Sequence, residues 1–163
     1  MIQPTGYSRT QIALHWAVVA LVAAQYIFKD AIATAWTAWR ATGAVAFNPQ
    51  VMAHIVTGGL ILALVVWRIA LRLTRGTPPA PSGEPAVLKA LAKLAHFSLN
   101  ATLVALSASG MLAWFGGVAA AAQAHNVLKV VLLALVLLHF IAALFHHLFL
   151  KTDVLRRMLR PAA

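Results

Sequence analysis

The stretch HNVLKVVLLALVLLH, residues 125–139, decides how this chain is read. It is apolar apart from Asn126 and Lys129 and carries a histidine at each end, His125 and His139, fourteen residues apart. Fourteen residues advance an α-helix by about 21 Å and rotate it by nearly four full turns, so both imidazoles leave one face. The pair then sits near opposite sides of a hydrocarbon core about 30 Å thick. Ionisable side chains at such depth are costly and line functional interiors, so a co-facial pair points to two stacked cofactors.

The surrounding composition agrees. The 163 residues are 62% hydrophobic and 10% charged, more apolar than the surface of a soluble domain tolerates, which predicts an integral membrane protein. Four apolar runs, at roughly residues 11–28, 51–73, 91–115 and 126–150, each approach the ~20 residues a bilayer requires. The fold expected is all-α, an integral membrane four-helix bundle with up-down topology, forming a single domain over residues 1–163. The first run begins behind Arg9 as a secretory leader would. His15 and Trp16 interrupt its start and no clean small-residue cleavage site follows, so it is read as a span. The segment from Asp30 to Gln50 mixes Trp36, Trp39 and Phe47 with Lys29, Arg40 and Asn48 around it, as an interfacial loop or short helix does. Gly76 to Pro85 holds four of the seven prolines and reads as a loop.

Basic residues set the expected orientation. Arg9, Arg68, Arg72, Arg75, Lys89, Lys93, Lys151, Arg156, Arg157 and Arg160 fall on the side of the termini, ten of thirteen, against Lys29, Arg40 and Lys129 on the other. The positive-inside rule places both termini in the cytoplasm. The net charge of +10 is then a topology signal with some attraction to anionic membrane lipid, and no nucleic acid need be invoked.

What is missing narrows the chemistry. The absence of cysteine removes iron–sulfur clusters, thiolate nucleophiles and covalent haem attachment. The three acidic residues, Asp30, Glu84 and Asp153, fall near or beyond span ends, which counts against carboxylate metal centres and buried acid relays. Histidine is left as the ligand inside the bilayer, and the matching cofactor is haem held non-covalently between two imidazoles. Counting from span ends gives two levels: His15 with His139 on the inner side, and His54 with His125 on the outer. The inner pair is the looser match, which a fourth helix running beyond the hydrocarbon, or tilting, would reconcile. A structural histidine is the alternative at each position taken singly; four at two matched depths favour two haems.

Further residues follow the same spacing. Lys29 stands fourteen residues after His15, and Arg68 fourteen after His54, so each helix giving a histidine to one level turns a cation toward the other. Such cations either offset haem propionates or snorkel to the interface. Gly58, one turn after His54, removes a side chain that would crowd a porphyrin, although helix packing also favours small residues there. His96, Asn100, Ser107 and Gly110 form a modestly polar stripe on the third span, assigned to closing the bundle, with His96 interfacial or part of a quinone site. His146 and His147 lie near the interface, placed for a propionate or quinone contact or simply at the surface.

Tyr7-Ser8-Arg9 leading to Ala13-Leu14-His15-Trp16, His54 with Gly58, Trp67-Arg68 through Leu71-Arg72-Leu73, the Pro78-Pro79-Ala80-Pro81 loop, and His139 with His146-His147 and Lys151-Thr152-Asp153 together resemble the bacterial cytochrome b561 family. The resemblance covers nearly the whole chain. It implies a four-helix dihaem cytochrome of the bacterial inner membrane, with axial ligands at the positions of His15, His54, His125 and His139. It also implies single-electron transfer to the quinone pool, with ubiquinone as acceptor. Some members resemble superoxide oxidases, and Lys29, Arg40 and Lys129 would then steer an anionic radical to the periplasmic face. Two other readings compete. A cytochrome b anchor subunit of a hydrogenase- or formate dehydrogenase-type complex would co-purify with a large hydrophilic partner, and a haem-free histidine-based metal transporter would be colourless.

Overall fold

Ser8 opens the first helix by a reciprocal cap in the computed structural model, which describes residues 4–161. Its hydroxyl accepts from the Gln11 backbone N–H at 3.2 Å and its own N–H donates to Gln11 Oε1 at 3.0 Å, satisfying two donors that the helix start leaves free. Helix α1 (Arg9–Ile27) breaks at Phe28, and Lys29 leads into α2 (Asp30–Thr42), which stops at Gly43 in the left-handed region, φ +71°. Asn48 caps α3 (Pro49–Arg75), with Pro49 at its first position, where the missing N–H costs nothing. Helices α4 (Ala86–Gly116) and α5 (Ala119–Leu148) are joined only by Gly117 and Val118. Gly117 has φ +66°, a turn that favours glycine and folds the two helices back on one another. A short α6 (Val154–Arg157) follows.

The secondary structure is all helical among the described residues, and α1, α3, α4 and α5 are long and apolar enough to cross a membrane. Two boundaries move from the sequence reading. The alanine-rich Val118 to Gln123, outside the fourth predicted span, mostly forms the first turns of α5, since alanine is the best helix former though only mildly hydrophobic. Helix α4 likewise begins before residue 91, with Lys89 on the added turn.

One end of the bundle gathers the chain termini. Gln11 Nε2 donates to the carbonyl of Gly76 at 3.1 Å, Trp16 Nε1 to that of Met158 at 2.8 Å, and Arg157 Nη1 to that of Pro79 at 2.7 Å. Glu84, with a side chain only 6% exposed, faces His146 Nε2 at 3.5 Å and so ties the proline-rich loop to the end of α5. Tyr7 packs into the same end, where burial pushes its phenol above the ordinary range against the pull of Arg72, Arg157 and Arg68. At the opposite, far end, α2 lies against the α4–α5 turn. Trp39 meets Trp36 at 5.3 Å and Trp114 at 6.0 Å between ring centroids, the aromatic content expected at a headgroup boundary.

Midway between the ends, Val18, Ile61, Val65, Leu103 and Leu132 form the most buried cluster, with each spanning helix contributing. Val65 is 0% and Leu132 1% exposed. Leu132 lies seven residues from both His125 and His139, so this aliphatic layer separates the two histidine depths. Within lipid such burial gains little transfer energy, and the layer is held by close packing of matched side chains.

Candidate functional site

His54 enters five residues after the start of α3 and His125 six after the start of α5, which places them at one depth near the far end. Both line a cavity of about 60 Å³ whose walls include Gln25, Tyr26, Gly58 and Ser107. His125 Nδ1 lies 2.9 Å from the carbonyl of Leu106. A carbonyl only accepts, so Nδ1 carries the proton and Nε2 is left bare, the state a metal-ligating imidazole adopts. Gly110 makes room for this ring: a Cβ added there would stand 3.0 Å from His125 Cε1 and Nδ1.

The terminal end holds the other level. The rings of His15 and His139 have centroids 6.4 Å apart, so the two imidazoles paired from sequence do meet. Their unequal distances from the helix ends are reconciled by α5, which runs nine residues past His139 to Leu148. Arg68 Nη2 lies 3.3 Å from His15 Nδ1, bringing the α3 cation to the level its fourteen-residue spacing indicated.

His96, assigned from sequence to the interface or a quinone site, lies ten residues into α4 with its ring 5.3 Å from that of His139. The signal was present, because His96 and Gly110 are themselves fourteen residues apart. Helix α4 thus turns a histidine to one level and a ring-admitting glycine to the other. Among the described residues no group of three or more histidines or carboxylates is arranged to hold a metal ion, since these rings meet edge to face.

Lys29 lies beyond α1, which ends at Ile27, and its Nζ bonds Asp30 Oδ1 at 2.9 Å. Gly58 lines the far-end cavity, and a Cβ added there would make ordinary contact with Gln25 Nε2 at 3.6 Å. His146 is held between Glu84 and Thr152 Oγ1, while His147 is exposed beside Lys151 and Arg156.

Four apolar helices that bring imidazoles together at two depths, one of them with its proton fixed on Nδ1, have the donor set of non-covalent haem, which defines the class as a membrane cytochrome of the b type. The model of the prokaryotic cytochrome b561 family matches residues 6–161, and the chain belongs to that family. It is 38% identical over 161 residues to cytochrome b562 of Cereibacter sphaeroides, an alignment covering 99% of each chain. It is also similar to a probable superoxide oxidase CybB of Yersinia pestis, 29% identical over 177 aligned positions covering 94% of this chain and 95% of that one. The protein is accordingly a multi-pass inner-membrane oxidoreductase of electron transport that uses b-type haem.

Proposed function

We propose that this cytochrome holds two haems b, one between His15 and His139 and one between His54 and His125, and moves single electrons from periplasmic superoxide to ubiquinone with both termini cytoplasmic. The observation that carries this reading is the division of the imidazoles into two levels by an aliphatic layer with Leu132 at its centre. The residues present fit the group: the imidazoles come from different helices, and His125 presents a bare Nε2 toward a cavity that is apolar apart from a few side chains. That cavity is smaller than a porphyrin, so a bound ring requires the flanking aliphatic side chains to give way.

When bound, haem supplies a one-electron iron couple at each level. The chain does the rest. Leu106 holds His125 in the ligating tautomer. Val65 and Leu132, fully buried, place apolar side chains between the levels. With Nε2 of His15 on iron, its Nδ1 keeps a proton and can no longer accept from Arg68, which frees that guanidinium for an anionic group such as a propionate. At the far end Asp30 neutralises Lys29, so Arg40 and Lys129 are the cations that steer an anionic donor. The relative named a probable superoxide oxidase supports that choice of donor.

Stopped-flow mixing of the oxidised cytochrome with superoxide, followed by ubiquinone, tests the reading. Haem bands should reduce in the first mix and reoxidise in the second. Failure to reduce removes superoxide as donor, and failure to reoxidise removes ubiquinone as acceptor. Arg68→Leu should lower the midpoint potential of the terminal-end haem, because a nearby cation favours the state with one more electron, and leave the far-end haem unchanged. A redox titration of the variant checks both halves of that expectation.

A further inference from the structure

Two buried side-chain polar atoms among the described residues have no hydrogen-bond partner, Gln25 Oε1 and His54 Nδ1, and both residues line the far-end cavity. Buried polar atoms are normally paired, so two orphans at one site call for an explanation. The orientation of the Gln25 amide is settled by chemistry. Its Nε2 lies 2.9 Å from the carbonyl of His54 and 2.9 Å from Thr57 Oγ1. The carbonyl can only accept, and the Thr57 hydroxyl spends its proton on the carbonyl of Ala53 at 2.6 Å, so both contacts require the NH₂ side of the amide. Oε1 therefore faces away from the α3 backbone as a fixed acceptor.

The second orphan is complementary. In the tautomer that leaves His54 Nε2 free to ligate, Nδ1 carries a proton and needs an acceptor. We infer that Gln25 is the positioning residue of His54: its Oε1 accepts the Nδ1–H when Nε2 binds iron. This rests on His54 being a haem ligand, and it gives the far-end level matched supports, Gln25 for His54 and the Leu106 carbonyl for His125. An acceptor on Nδ1–H makes the imidazole a stronger donor to iron and favours the oxidised state, so it lowers the potential of that haem.

The test is a spectroelectrochemical titration of the haem-loaded protein, with the haem dependent on His54 identified by its loss in His54→Ala. Gln25→Leu, which removes the acceptor, should raise the midpoint potential of that haem and leave the other in place. Gln25→Glu keeps an acceptor while losing the donor to the His54 carbonyl, and should hold the potential at or below the parent value. A merely structural role would move both variants in one direction. An unshifted Gln25→Leu, a rise in Gln25→Glu, or a shift confined to the other haem overturns the assignment of Gln25. If Gln25→Leu does not accumulate, the Gln25→Glu titration still decides. A parent protein in which His54→Ala removes no haem overturns the ligand reading beneath it and the proposal with it.

Discussion

His139→Ala is expected to halve the haem content of the purified protein, from two per chain to one, while the helical fold persists. His139 is the imidazole on which the terminal-end level converges, with the ring of His15 at 6.4 Å and that of His96 at 5.3 Å. Both rings meet that of His139 edge to face, and the proposed ligand set takes His15, not His96, as its partner. His96→Ala should therefore keep two haems, and the contrast between the variants separates a ligand from a neighbour. The core of Val18, Ile61, Val65, Leu103 and Leu132 contains neither residue, so circular dichroism should report near-parent helicity in both. Equal haem loss in the two variants would transfer the axial role to His96.

The second large effect is expected at a residue with no polar group. Gly110→Val places a branched side chain where even a Cβ comes within 3.0 Å of the His125 ring. That ring cannot yield freely, because its Nδ1 is tied to the Leu106 carbonyl at 2.9 Å and moving it breaks the bond that sets the tautomer. Loss of such an orienting partner typically costs 10–100-fold in metal affinity. The far-end haem should consequently be lost or weakened by at least that range, with the terminal-end haem retained. Haem titration of the apoprotein measures it, and parent-like affinity at both sites would show that the ring has another place to go.

The histidine levels were legible in the sequence because a fourteen-residue spacing fixes a helix face without any knowledge of where the helix begins. The pairing of His15 with His139 rested instead on depth counted from span ends, and the rings lie 6.4 Å apart although the predicted fourth span was offset from α5 at both ends. Arg68 was readable from the fourteen-residue spacing, since α3 runs unbroken from Pro49 to Arg75. The Lys29 inference depended on a periodicity that stops with α1 at Ile27, two residues before it.

The remaining features are properties of packing between helices. Gln25 sits ten residues after His15, off the repeating face, and only the approach of α1 to α3 shows that its amide grips the His54 carbonyl. The glycine against which the His125 ring packs most tightly is Gly110 on α4, which no spacing within one helix indicates. The stripe from His96 to Gly110 was visible, but no rule internal to one helix says which neighbour it faces. Glu84 read as a loop acid beyond a span, whereas tertiary folding buries it against His146.

The most direct test of the central claim is the haem stoichiometry of the parent protein, by pyridine haemochrome assay against amino-acid analysis, after purification from haem-replete cells. Two haems b per chain, resolved as two components in a redox titration, is the expected result. One haem per fully loaded chain, or a colourless protein, would contradict the assignment of the two histidine levels as two redox centres.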